Sequence, residues 1–155
     1  MVIFEYKVSP AWLSPDAPDS IFRVTVTSDK KDNVTTWFHD KKYSHTIPAR
    51  EIDKIIKIIK AYPELFHIPK RLEPNSALDG EEYSFIFSDG EKTNSFSGSN
   101  ILDYGRNPRK NATLALRVAR TIKENILDLN GVRTMIPTRL QHWPKYRKPS
   151  RNIDI

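Results

Sequence analysis

Apolar residues recur with a helical period most clearly at residues 46–62, TIPAREIDKIIKIIKAY. At about 100° per residue, Ile52, Ile55, Ile56, Ile59 and Tyr62 share one face, and Arg50, Asp53, Lys54, Lys57 and Lys60 share the other. This predicts an amphipathic helix with Thr46 as N-cap, Pro48 in the first turn and Pro63 barring continuation. A stripe of isoleucines has to be buried, so the flanking segments must supply a sheet. Residues 2–8 alternate, with Val2, Phe4, Tyr6 and Val8 opposite Ile3, Glu5 and Lys7, as in a half-buried strand. Residues 21–28 and 34–39 read as a hairpin across DKKDN, and residues 43–47 as a short further strand. Residues 82–88 and 91–97 flank Asp89-Gly90, which predicts a two-residue type I′ turn; the serine-rich second arm belongs near a sheet edge.

A second helical period spans residues 112–130, with Asn111 as N-cap, Gly131 as the stop, and Ala115, Val118, Ala119, Ile122, Ile126 and Leu129 as its core stripe. Leu116 and Leu127 fall about 100–120° from Ala115, so a further segment has to cover them. Met135, Ile136, Leu140 and Trp143 are the candidates. Two stretches resist regular structure. SPAWLSPDAPDS, residues 9–20, holds three prolines and is expected to fold Trp12 over the sheet edge; residues 63–80 are expected to close the first helix with Leu65, Phe66 and Ile68. The order β-β-β-(β)-α-β-β-α predicts a single α+β domain, an antiparallel sheet of five to six strands with both helices on one face. Residues 1–131 form the body and 132–155 an extended basic arm.

Charge changes this picture through its position. The net charge of +6 is concentrated after residue 131, where Arg133, Arg139, Lys145, Arg147, Lys148 and Arg151 face Asp154 alone, while the first 131 residues carry 19 bases and 18 acids. Such asymmetry reads as an interaction arm on a neutral body. The absence of cysteine removes disulfides, thiol nucleophiles and Cys-ligated metal. MVIFEYKVSP lacks the pattern of a secretory signal, and no apolar run reaches the ~20 residues of a membrane span, so a cytoplasmic protein without membrane contact is expected.

Candidate chemistry is sparse. His39 and His45 lack HxxxH or HExxH spacing and read as surface or capping residues, so no metal or other cofactor is expected. Asp40-Lys41-Lys42 and Asp29-Lys30-Lys31 fit a carboxylate–lysine nuclease pattern formally, with Asp79, Glu81 and Glu82 as partners, but acids beside turns are common. GRNPRKN places Arg106, Arg109 and Lys110 before a helix N-terminus, where anions are favoured, without the glycine pattern of a P-loop. The arm interleaves Arg139, Lys145, Arg147, Lys148 and Arg151 with Trp143 and Tyr146. That mix serves protein hot spots and also phosphate neutralisation with base stacking.

In size, loop content and lack of motifs the chain resembles, in type, small bacterial or phage accessory proteins such as toxin-immunity proteins and inhibitors of defence nucleases. The expected function is therefore a non-enzymatic module that recognises or inhibits one partner, an acidic protein. A nucleic-acid-binding accessory protein is the alternative, and a metal-dependent nuclease-like enzyme stands third.

Overall fold

The alternating segment at the start of the chain is paired on both sides and so lies inside the sheet. The computed structural model describes residues 1–10, 20–72, 81–99 and 110–137. The elements are β1 (Val2–Pro10), β2 (Phe22–Thr27), β3 (Val34–Phe38), β4 (Lys41–His45), α1 (Ala49–Lys60), β5 (Glu81–Ser88), β6 (Thr93–Ser99) and α2 (Lys110–Ile122). The six strands form one antiparallel sheet in the order β4-β3-β2-β1-β5-β6. This is the α+β architecture that the periodicities predict. The proline-rich loop holding Trp12 and Leu13 lies outside the described residues.

One face of the sheet is aromatic. Tyr6 meets Phe85 edge-on at 5.5 Å between ring centroids, and Phe85, Phe87 and Phe96 stack at 5.5–6.0 Å. This face shares a single core with Ile52, Ile55 and Ile59 of α1 and with Ala115, Val118, Ala119 and Ile122 of α2. The stripe read from residues 46–62 is therefore the buried one. Burial, reinforced by the charge of Glu81, pushes the Tyr6 phenol above its ordinary value and keeps it neutral.

The opposite face is polar and partly sealed. Glu5, expected on the solvent side, is buried because the Thr25 hydroxyl donates to its Oε1 at 2.8 Å and Arg23 Nε lies 3.4 Å away. Arg23 and Lys42 bracket the Trp37 ring, 4.5 and 5.5 Å from its centroid. At the far edge, Arg71 bonds Glu82 and Ser97.

Two buried or half-buried amides tie irregular segments to the sheet. Asn33 exchanges two hydrogen bonds with the backbone of Ile47, each 2.9 Å, which fixes the approach to α1. Asn94 donates to Leu65 O and Ile68 O at 2.8 and 2.9 Å, docking the 3₁₀ turn Pro63–His67.

Four local expectations are corrected. Thr46 does not cap α1; its hydroxyl accepts from Asp32 N at 2.9 Å, and Pro48 occupies the N-cap position without a side-chain bond. Asn111 lies inside α2 and is not its cap. The β5–β6 connection spans four residues, with positive φ only at Gly90, because the Asp89 carboxylate accepts from both Glu91 N and Lys92 N and holds an Asx turn instead of type I′. The fourth correction is the end of the second helix. Residues Lys123–Leu127 form a π-turn, and the extra residue rotates the following positions. Leu129, expected in the core stripe, is thereby 76% exposed, while Leu127, expected beneath a covering segment, is fully buried.

Candidate functional site

Where the π-turn ends, the chain reverses by a Schellman arrangement: Gly131 N donates to Asp128 O at 3.2 Å and Val132 N to Leu127 O at 2.9 Å. Gly131 sits at φ 76°, the left-handed position a helix-ending glycine takes without Cβ strain. This reversal carries residues 131–133 back over the β3–β4 end of the aromatic face. Glu51 of α1 holds the corner from below, accepting from Asn130 Nδ2 at 3.0 Å, while Asn130 also donates to Ile126 O at 2.7 Å.

The hairpin supplies the other wall. β3 and β4 join through the two residues His39 and Asp40, of which only His39 has positive φ, 60°, the pattern of a type II′ turn. Alternation then puts Thr36, Phe38, Tyr43 and His45 on the aromatic side. With Gly131 and Arg133 they line a groove of about 290 Å³. Phe38 meets Tyr43 edge-on at 6.0 Å, and the Arg133 guanidinium lies 5.9 Å from the Phe38 ring centroid. Tyr43 remains 49% exposed although it is a large aromatic on a sheet. Among the described residues the lining contains no carboxylate, and Lys41 and Lys42 stand on the same strand. Asp40 is the lone acid in residues 39–45. Chemically, the groove offers two ring surfaces, an imidazole and a guanidinium, which suits an aromatic or aliphatic side chain beside a carboxylate.

The Glu51 clamp gives the corner an acid sensitivity. The hydrogen bond from Asn130, then that from Lys54, hold the Glu51 carboxyl below its ordinary value. A depressed folded-state pKa means stability that is complete above the unfolded glutamate range and is lost as pH falls through the folded value. The melting temperature should therefore fall on acidification below about pH 5. Glu51→Gln should shrink the difference between melting temperatures at neutral pH and below about pH 4, leaving the part due to Glu82 and Asp89, also held low. An unchanged acid slope in this variant would show that the corner is held by other contacts.

The residues singled out from sequence fare unevenly. His45 joins the groove, whereas His39 sits in the turn and contributes no wall. Lys110 is the exposed first residue of α2. Arg106 and Arg109, and the arm residues Arg139, Trp143, Lys145, Tyr146, Arg147, Lys148 and Arg151, lie outside the described residues. Among the described residues, no three of His, Asp and Glu converge as metal ligands do. Of the proposed covering residues, Ile136 is buried and Met135 is 52% exposed, while Leu140 and Trp143 lie outside the described residues; Val132, not among the candidates, is also buried. Sequence reasoning missed the groove because its walls are separated by some 90 residues; the one local signal was an exposed-looking Tyr43 between two lysines and a histidine.

No protein-family model matches the chain, and no curated protein is similar to it in sequence. No helix among the described residues is long and apolar enough to cross a membrane.

Proposed function

We propose that the protein is a non-enzymatic binding module that recognises or inhibits one protein partner, and that the partner presents an acidic segment to the groove beside β4. The observation that carries this reading is an aromatic groove with Arg133 and His45 in its lining, Lys41 and Lys42 alongside, and no carboxylate among the described lining residues. Rings left exposed beside an arginine are the composition of an interface hot spot, and the uniform sign of charge selects an acidic partner. The basic segment from residue 138 onward adds long-range attraction for the same partner. Nucleic acid is the competing reading, favoured by the row Lys42, Trp37, Arg23 and Lys7 that register aligns across the polar face.

Fluorescence anisotropy separates the two. The probes are a labelled peptide alternating glutamate with tyrosine, and random-sequence single-stranded DNA and RNA, each titrated across salt concentration. The peptide should bind, and Arg133→Glu, an exposed position, should weaken it by about tenfold or more. Tighter binding of DNA or RNA, with a steep salt dependence and indifference to Arg133→Glu, would move the protein to the nucleic-acid class.

A further inference from the structure

We infer that the partner segment enters as an added β-strand on the outer edge of β4, its side chains filling the groove; this rests on the reading of the groove as a protein-binding site. Two backbone hydrogen bonds set the phase of the sheet. His39 N donates to Ile21 O at 3.0 Å and Thr27 N to Asn33 O at 2.8 Å, bonds that flank the pairs Phe22–Phe38 and Val26–Val34. Antiparallel ladders alternate, so Thr35 and Trp37 turn their backbone groups to β2, and Val34, Thr36 and Phe38 turn theirs to β4. Their partners there are His45, Tyr43 and Lys41. Lys42 and Ser44 consequently direct both N–H and C=O away from the sheet.

The two edges differ. Along β6, Ser97 N donates to Lys70 O at 2.9 Å and Leu72 N to Ser97 O at 2.8 Å, so residues 70–72 cover that edge. Among the described residues, nothing pairs with the outer side of β4. An unpaired edge is a template for another strand, and lysines on it repel strands of like charge while attracting acidic ones. A strand laid against Lys42 and Ser44 would place alternate side chains beside Tyr43 and Arg133 on the groove side and beside Lys42 and Trp37 on the other. The charge selects the occupant. A second copy of the chain would bring another Lys41 and Lys42 to the same edge, and residues 138–155 carry Arg139, Lys145, Arg147, Lys148 and Arg151 against one acid. An acidic, aromatic-containing extended segment of another protein meets no such repulsion.

The experiment uses the full chain, the glutamate–tyrosine peptide and two versions of it N-methylated on alternate residues, one in each phase. By NMR hydrogen exchange, saturation with the peptide should slow the Lys42 and Ser44 amides by about tenfold or more, whereas the Tyr43 amide is already held by Thr36. One methylated phase should lose at least about tenfold in affinity, because it removes the N–H groups that face β4, and the other should bind nearly as the parent does. Lys42→Pro removes the outward N–H together with the ammonium beside Trp37, and it should weaken the parent peptide by at least about tenfold more than Lys42→Gln, which removes the charge and keeps the N–H. Peptide binding with both methylated phases equal and the two amides unchanged overturns strand addition and leaves the groove reading standing. Failure of the acidic peptide to bind at all overturns the groove reading, and strand addition with it. Protection of Lys42 and Ser44 before any peptide is added gives the edge to a second copy or to another segment of the same chain, and light scattering tells which of the two; either result overturns the proposal.

Discussion

Phe85→Ala should destabilise the protein by about 3–5 kcal/mol, the cost of lost transfer energy plus the cavity that remains. Phe85 is fully buried on β5, opposite Tyr6 of β1 and Phe96 of β6. It touches Tyr6 edge-on and stacks between Phe87 and Phe96, so its removal opens a gap lined by three rings that cannot collapse without moving strands. For a chain of this length the melting temperature should fall by roughly 10 °C. Urea denaturation checks the free energy directly, and a loss below about 1 kcal/mol would mean the stack relaxes freely and is not the centre of the core. Phe38→Ala makes the informative contrast. Phe38 is half-buried at the groove, so its loss should cost less stability and more binding.

Truncation after Gly131 should also be severe, because the core does not end with the second helix. Val132 and Ile136 are buried with exposures of 1% and 3%, and each contributes about 1.5–3 kcal/mol of burial. The truncated chain also loses the Val132 N–H that satisfies Leu127 O at the Schellman turn. A loss of about 3–6 kcal/mol by thermal or urea unfolding is expected. Truncation after Pro137 keeps both side chains and removes the basic segment, and it should leave the melting temperature unchanged while weakening capture of the acidic peptide, most of all at low salt. Equal destabilisation by both truncations would show that residues 138–155 belong to the core.

Where apolar spacing is dense and regular, the fold could be read directly. Ile52, Ile55 and Ile59 are buried as their spacing requires, and Phe4, Tyr6 and Val8 alternate into the core. The turn DKKDN and the stop at Gly131 followed from local backbone chemistry. Readings failed where one residue changes phase or where a side chain has a distant partner. The π-turn at Lys123–Leu127 inserts a step that no 3.6-residue period can contain, so Leu129, placed in the core stripe, is exposed, whereas Leu127 is buried as its need for a cover required. Thr46 was free to cap α1 in sequence but finds Asp32 N in space, and Glu5 is buried only because register brings it to Thr25. The groove was illegible for the same reason. Phe38 and Tyr43 are neighbours in sequence, but Gly131 and Arg133 reach them only after the second helix has been laid down and reversed.

The central place of β1 has a consequence for how the chain is made. On the ribosome, β1 to β4 can pair as consecutive neighbours once residue 45 has emerged. The other edge of β1, with Phe4, Tyr6 and Val8 beside it, finds its partner only in β5, Tyr83 to Phe87, roughly 80 residues later. Synthesis at about 5–20 residues per second leaves that apolar edge open for several seconds. Pairing across such a sequence separation is also intrinsically slow. The nascent four-stranded meander is thus the state in which this protein is most prone to aggregate and most in need of a chaperone, and slower translation between residues 45 and 81 would lengthen the exposure.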